Sequence, residues 1–213
     1  QDMLYVTQDR QHHLFAQEVN LASPENRRFE FLAGLFGFYQ LRDKKVDVFY
    51  GPDAVTAFNL PGEMQKNKSY DKTTGGFAAF GQASYKDFII SNMTATVGLR
   101  YDYEINRLDY NYLLYMNDSE IPQDDFVHRK SYPEILPKAS LHYRWNDQLV
   151  QYAGFTKGYK SGGFNSTFER KQDQTFKPEY SLNYETGIKW YGNGISAELS
   201  VYHIDIKDKF KIS

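Results

Sequence analysis

The sequence predicts an all-β chain, an antiparallel transmembrane β-barrel segment, on three observations. Apolar and polar residues alternate with period two over stretches too long for ordinary soluble strands. Short and long connections alternate between those stretches. Aromatic side chains cluster beside the short connections. In the stretch Met93 to Asp102, Met93, Ala95, Val97, Leu99 and Tyr101 fall on one face, and Thr94, Thr96, Gly98, Arg100 and Asp102 on the other. A helix would group its apolar residues three and four apart, which these segments do not do.

Eight strands are expected, near 11–22, 29–41, 76–87, 92–105, 135–145, 148–159, 179–191 and 195–207. Within 135–145, Ala139, Leu141, Tyr143 and Trp145 oppose Lys138, Ser140, His142 and Arg144. Within 179–191, Leu182, Tyr184, Thr186, Ile188 and Trp190 oppose Asn183, Glu185, Gly187 and Lys189. In the last strand Ile195, Ala197, Leu199 and Val201 oppose Ser196, Glu198 and Ser200. A globular strand averages about 5–6 residues, whereas a tilted strand crossing a bilayer needs roughly 9–11. The second length is the one seen.

The connections carry as much information. Residues 23–28, 87–92, 146–147 and 192–194 are short, whereas 42–75, 106–134 and 160–178 are long and polar. Tight turns at one rim and extended loops at the other are the habit of outer-membrane barrels. Trp145, Trp190 and Tyr191 sit beside short turns, as an interfacial aromatic belt requires. The polar faces carry Glu18, Arg100, Asp102, Lys138, His142, Arg144, Glu185, Lys189 and Glu198. A barrel points these into an enclosed wet lumen; a soluble sandwich would point them into bulk water. Period alone does not choose between the two.

Composition narrows the classes. The 213 residues hold 25 Lys+Arg against 27 Asp+Glu, a net charge of −2, so no basic excess invites nucleic acid. The mean hydropathy of −0.66 goes with the lack of any unbroken apolar run of roughly 20 residues, so no spanning helix is expected. Cysteine is absent, which removes disulfides and thiolate metal sites from this chain. Aromatics reach 17 %, far from the composition of disorder.

Several ordered motifs then carry a family likeness. They are Gln17-Glu18-Val19-Asn20-Leu21-Ala22-Ser23-Pro24 followed by Gly34-Leu35-Phe36; Gly98-Leu99-Arg100-Tyr101-Asp102; Leu136-Pro137-Lys138-Ala139-Ser140-Leu141; the run from Val150 to Asn165; Phe176-Lys177-Pro178-Glu179; and Asn183-Tyr184-Glu185-Thr186-Gly187-Ile188-Lys189. In order and spacing the set resembles the middle of the β-barrel of TonB-dependent outer-membrane receptors, over about residues 10–208. The resemblance implies that residues 1–213 are part of one barrel domain, a third of a barrel of about 22 strands. The plug, the TonB-contacting segment and the terminal barrel strands are expected outside this stretch. It implies an outer-membrane receptor for active, TonB-coupled uptake of a scarce nutrient, foremost a ferric siderophore. The partners implied are TonB, through a plug, an iron chelate and the lipid bilayer. A vitamin or glycan receptor of the same family, a passive barrel closed by these eight strands, and a soluble all-β binding module are the alternatives.

Catalytic and metal chemistry find little footing. His12 and His13 are adjacent on a strand and face opposite ways. Asp124-Asp125 reads as a solvated acidic loop, and a grouping of it with His128 and Ser131 has only sequence proximity behind it. No nucleophile elbow or phosphate loop is present, so no enzyme and no cofactor are expected. Ligand recognition is expected in the long loops instead, from Tyr110, Tyr112, Tyr115, His128, Arg129 and Lys130 in one and Lys160, Phe164, Arg170 and Lys171, with Phe168, in another. Aromatic faces beside cations suit planar anionic chelates, by stacking and charge-assisted hydrogen bonds. Gly158 and Gly162-Gly163 are expected at positive φ, where a strand leaves the barrel.

Overall fold

A computed structural model describes residues 3–116, 119–165 and 175–207. Eight long strands form one sheet in the order β1-β2-β3-β4-β5-β6-β9-β10. They are β1 Leu4–Ala22, β2 Phe29–Tyr50, β3 Met64–Lys86, β4 Met93–Met116, β5 Ser119–Arg144, β6 Leu149–Lys160, β9 Glu179–Gly192 and β10 Ile195–Lys207. A two-residue pair, β7 Gly163–Phe164 with β8 Thr175–Phe176, stands apart from that sheet. A short helix, α1 Pro52–Phe58, starts on proline, which suits a first helical position, and stops at Asn59 in the left-handed region. Contacts divide the chain into two compact units. One holds Gln1–Ala16, Phe38–Gly75 and Ile105–Ser131; the other holds Gln17–Gly37, Gly76–Glu104 and Tyr132–Ser213.

All eight expected strands are found, but two expected loops are largely strand. Most of 42–75 belongs to β2, α1 and β3, and most of 106–134 to β4 and β5. Backbone pairing continues beyond the length a bilayer dictates. There both faces carry polar side chains, so the period-two contrast fades while the ladder persists. In the 160–178 stretch, β7 and β8 form a small pairing where only loop is expected.

The second unit contains the short turns and the strand length next to them. Its apolar face is open. Leu99 is 54 % exposed, Ile188 44 % and Leu199 73 %. Side chains buried in the dry centre of a sandwich would be nearly covered, so the soluble sandwich is excluded. Closure by these eight strands alone also fails, because β1 and β10 are the two edges of the sheet and do not pair. Register confirms the face assignment: Leu199 lies opposite Ile188 and Glu198 opposite Lys189, so each face keeps its own chemistry across the strand pair.

The polar face of this unit is tied by ion pairs and hydroxyls. Lys189 Nζ lies 3.2 Å from Glu198 Oε1. The Tyr152 hydroxyl is 2.7 Å from Glu185 and 3.0 Å from Glu198. Arg100 Nε donates to both carboxylate oxygens of Asp102 at 2.9 and 3.0 Å, and its guanidinium lies 5.7 Å from the Phe36 ring and 5.5 Å from Phe80. Lys86 reaches Glu30 at 2.6 Å, and the Ser84 and Thr96 hydroxyls meet at 2.8 Å.

The glycine expectation needs correction. Among the described glycines only Gly194 has a positive φ, +78°. Gly158 and Gly162 are small for reasons of space. A Cβ on Gly158 would strike the Ser181 hydroxyl, and one on Gly162 would lie 2.7 Å from the Phe176 carbonyl and 2.9 Å from the Tyr132 ring.

Candidate binding face

The strand extensions beyond the spanning length place the first group of candidate residues. Alternation along β4 puts Asn106, Leu108, Tyr110 and Tyr112 on one face, and the first three are buried. Tyr110, 4 % exposed, is the centre of an aromatic row. Its ring is 4.9 Å from Tyr70 of β3 and 5.0 Å from Phe126 of β5, and Phe126 is 4.6 Å from His128. Such tilted ring pairs each contribute about 0.5–1.5 kcal/mol beyond the area they cover. Cations flank the row. Lys44 Nζ sits 5.3 Å from the Tyr70 ring and Lys68 Nζ 5.1 Å from Tyr112. Beneath it, the Thr74 hydroxyl donates to Asn106 Oδ1 at 2.6 Å, a buried bond.

Burial raises the Tyr110 phenol far above its ordinary pKa, with Tyr70 adding to the shift. Tyr70 is raised as well, again chiefly by burial, although its hydrogen bond with Tyr110 pulls the other way. Burial also lowers the Lys44 ammonium, helped by the charge of Arg10. The two neutral phenols form a buried aromatic base, and the Lys44 ammonium, its charge disfavoured by burial and by Arg10, gains from any negative group brought beside it.

The predicted residues are thus only partly gathered. Tyr110 and His128 join the aromatic row, and Tyr112 follows Tyr110 on the same face of β4, under the Lys68 ammonium. Tyr115 is turned to Glu120, donating to Oε2 at 3.1 Å. Arg129 lies between His128 and Lys130 in β5, so alternation sends it to the other face. Lys160 and Phe164 lie in the second unit. Lys160 Nζ is 3.9 Å from Glu179 Oε2. Phe164 is 5 % exposed and part of the β7–β8 pair, which gives it a packing role there. Arg170 and Lys171, with Phe168, lie outside the described residues. Sequence reasoning missed Lys44, Lys68, Tyr70 and Phe126. All four fell in stretches read as loop, 42–75 and 106–134, and the signal that would have found Lys68 and Tyr70 is the alternation of Lys68, Tyr70 and Lys72 along β3.

A second polar cluster belongs to the second unit. Glu134 accepts from Lys157 Nζ at 3.1 Å and from the Tyr180 hydroxyl at 2.7 Å. The Tyr159 ring lies 5.8 Å from Tyr180. The Tyr132 and Tyr159 hydroxyls are buried without a hydrogen-bond partner among the described residues.

Comparison with known proteins agrees with this architecture. Residues 4–211 match the family model described as TonB dependent receptor-like, beta-barrel. Among solved structures, the chain is similar to the ferric yersiniabactin uptake receptor FyuA from Yersinia pestis. The TM-score is 0.74 at 19 % identity, covering 97 % of this chain and 30 % of FyuA. The FrpB iron transporter from Neisseria meningitidis matches with a TM-score of 0.45 at 11 % identity, covering 91 % of this chain and 36 % of that one. This chain therefore spans about a third of the length of FyuA. The family model covers nearly the whole sequence, and the one open sheet with lipid-type and water-type faces is the wall such a barrel is made from: the chain belongs to the TonB-dependent receptor β-barrel family.

Proposed function

We propose that this chain is part of the wall of an outer-membrane receptor that takes up a ferric siderophore, with transport coupled to TonB through a plug domain. The observation that carries the cargo class is the aromatic row Tyr70–Tyr110–Phe126–His128 flanked by Lys44 and Lys68. Outer-membrane barrels receive ligand in the loops beyond the spanning length, and the strand extensions that carry this row favour the reading. Flat chelating rings stack on the half-buried Tyr112, Phe126 and His128 rings, with Tyr70 and Tyr110 buried as their base, and the net negative charge of an iron chelate is matched by the ammonium groups. A glycan would use the aromatic faces but gain little from the cations, so the paired lysines favour an anionic chelate. The fold neighbour FyuA takes up a ferric chelate, and cargo of that chemical class is what we assign here. The residues offered as ligand contacts are Tyr112, His128 and Lys130 with Lys44 and Lys68. Tyr110 acts as the buried base on which they rest.

The test is binding of a panel of ferric catecholate, hydroxamate and phenolate chelates, a corrinoid and an oligosaccharide to the full-length receptor in detergent. Titration calorimetry should show one ferric chelate class binding. The double substitution Lys44→Ala with Lys68→Ala should weaken that binding about tenfold, the worth of one or two charge-assisted contacts. Binding of the oligosaccharide alone, or chelate binding indifferent to the double substitution, refutes the assignment.

A further inference from the structure

Of the short connections, the one between β3 and β4 is unlike the rest. Residues 23–28, 145–148 and 193–194 have polar tips, whereas 87–92 reads Asp-Phe-Ile-Ile-Ser-Asn. Ile89 is 83 % exposed, more than any other large hydrophobic side chain among the described residues, and Phe88 and Ile90 are exposed beside it. Its backbone is unusual too. Ile89 has φ +63°, in the left-handed region. Asn26, Asn59, Asp87, Asn92, Asn193 and Gly194 occupy that region elsewhere, all residue types that enter it cheaply. A β-branched side chain does not.

Four hydrogen bonds hold the turn in this form. Asn92 N–H donates to Asp87 Oδ1 at 2.8 Å, Phe88 N–H to the Met93 carbonyl at 3.0 Å, Ile90 N–H to the Phe88 carbonyl at 2.7 Å and Met93 N–H to the Ile90 carbonyl at 3.3 Å. The turn is tied to its neighbours on both sides. Lys86 N–H donates to the Arg28 carbonyl at 2.8 Å, next to the exposed Phe29–Phe31 ring pair. Arg144 N–H donates to the Asn92 carbonyl at 3.1 Å, next to the edge-on Tyr143–Trp145 pair. The apolar tip therefore stands between aromatic pairs at the same rim, at the start of the strand whose exposed face bears Val97, Leu99 and Tyr101. Water is a poor medium for three adjacent apolar side chains held out by a strained turn.

We propose that residues 87–92 form an apolar wedge that enters the phospholipid leaflet at the short-turn rim, with Phe88, Ile89 and Ile90 at the boundary of headgroups and acyl chains. Arg28, whose guanidinium lies 5.1 Å from the Tyr85 ring, flanks it and faces lipid phosphates in that position. The left-handed turn is the device that keeps the side chains outward. The proposal rests on the outer-membrane barrel reading, and its test separates the two.

This chain contains no cysteine, so Ile89→Cys, with any cysteines elsewhere in the full-length receptor replaced by serine, allows one label at the tip. The labelled receptor, carrying an environment-sensitive fluorophore, is reconstituted in phosphatidylethanolamine/phosphatidylglycerol vesicles. Nitroxide-bearing lipids quench either near the glycerol or near the chain end. Leu99→Cys serves as the lipid-face control and Glu25→Cys as the polar-turn control. The label at position 89 should lose about half its emission with the shallow quencher, consistent with a depth of about 5–10 Å for interfacial apolar groups. The label at 99 should respond to the deep quencher and the label at 25 to neither. An unquenched label at 89 with a quenched label at 99 overturns the wedge and leaves the barrel standing. A blue-shifted but unquenched label at 89 also overturns it, because a protein surface then covers the turn. If the label at 99 escapes quenching too, the barrel reading falls as well.

Discussion

At the scale of single residues, the buried tyrosines show how one environment serves two ends. Tyr110 packs between Tyr70 and Phe126, and burial keeps its phenol neutral well above the ordinary range. An acid whose pKa is raised on folding contributes stability that is complete below its unfolded pKa of about 10. That contribution fades as pH rises from there toward the folded value, because the unfolded chain then releases a proton that the folded one retains. Alkaline titration of the receptor in micelles should therefore show a falling unfolding midpoint above about pH 10. Tyr110→Phe should flatten that fall while leaving the midpoint at neutral pH within about 1 kcal/mol. An alkaline slope unchanged by the substitution removes Tyr110 from the account. Tyr110 and Tyr112 read in the sequence as aromatic residues of a long recognition loop. Their partners Tyr70 and Phe126 lie 40 and 16 residues from Tyr110 along the chain, a separation only strand pairing bridges.

At the scale of elements, glycine placement records the close approach of neighbouring strands. Tyr152 and Ser200 flank Gly187 in the register. A Cβ there would lie 2.7 Å from the Tyr152 ring and hydroxyl and 2.8 Å from the Leu199 carbonyl. Gly98 differs, because its nearest obstacle is the Lys138 chain at 2.6 Å, which can swing aside. Gly187→Ala should lower stability by about 1–3 kcal/mol, since it pushes on backbone and on the phenol that joins Glu185 and Glu198. Gly98→Ala should cost under about 1 kcal/mol, because a flexible side chain gives way and the unfolded chain loses entropy. Denaturant midpoints in the same micelle compare the two, and equal losses contradict the packing argument. Sequence reading found these strands through their alternation, but assigned the wrong reason to Gly158 and Gly162. Both are crowded positions, and crowding depends on which residue lies across the ladder.

At the scale of the whole molecule, the two faces of the sheet make opposite demands. Leu99 lies on the apolar face near the middle of the spanning length, whereas Gln82 alternates in β3 with Phe80 and Ser84, whose side chains meet Arg100 and Thr96 on the polar face. An arginine facing the bilayer midplane costs about 2–4 kcal/mol, while a lumen position tolerates charge. Leu99→Arg should lower the folding free energy into phosphatidylcholine vesicles by that amount, and Gln82→Arg should change it by less than about 1 kcal/mol. Equal effects at the two sites remove the division into lipid and lumen faces. The extended strands belong to this scale as well. Residues 106–116 and 119–134 read as loop because polar side chains occur on both faces and blur the alternation, yet they pair because each edge left bare would waste its backbone groups.

Sequence by itself determined which chain segments cross and which face each side chain takes, because those follow from a local period set by backbone geometry and by hydrocarbon on one side. It also marked the turns, since Asn, Asp and Gly carry their backbone preferences wherever they stand. Only the tertiary structure decided where the strands end, which aromatics and lysines from β2, β3, β4 and β5 meet, and that β1 and β10 are left as open edges. Those outcomes depend on register between distant segments, and register is a property of pairs of strands that no single stretch of chain contains.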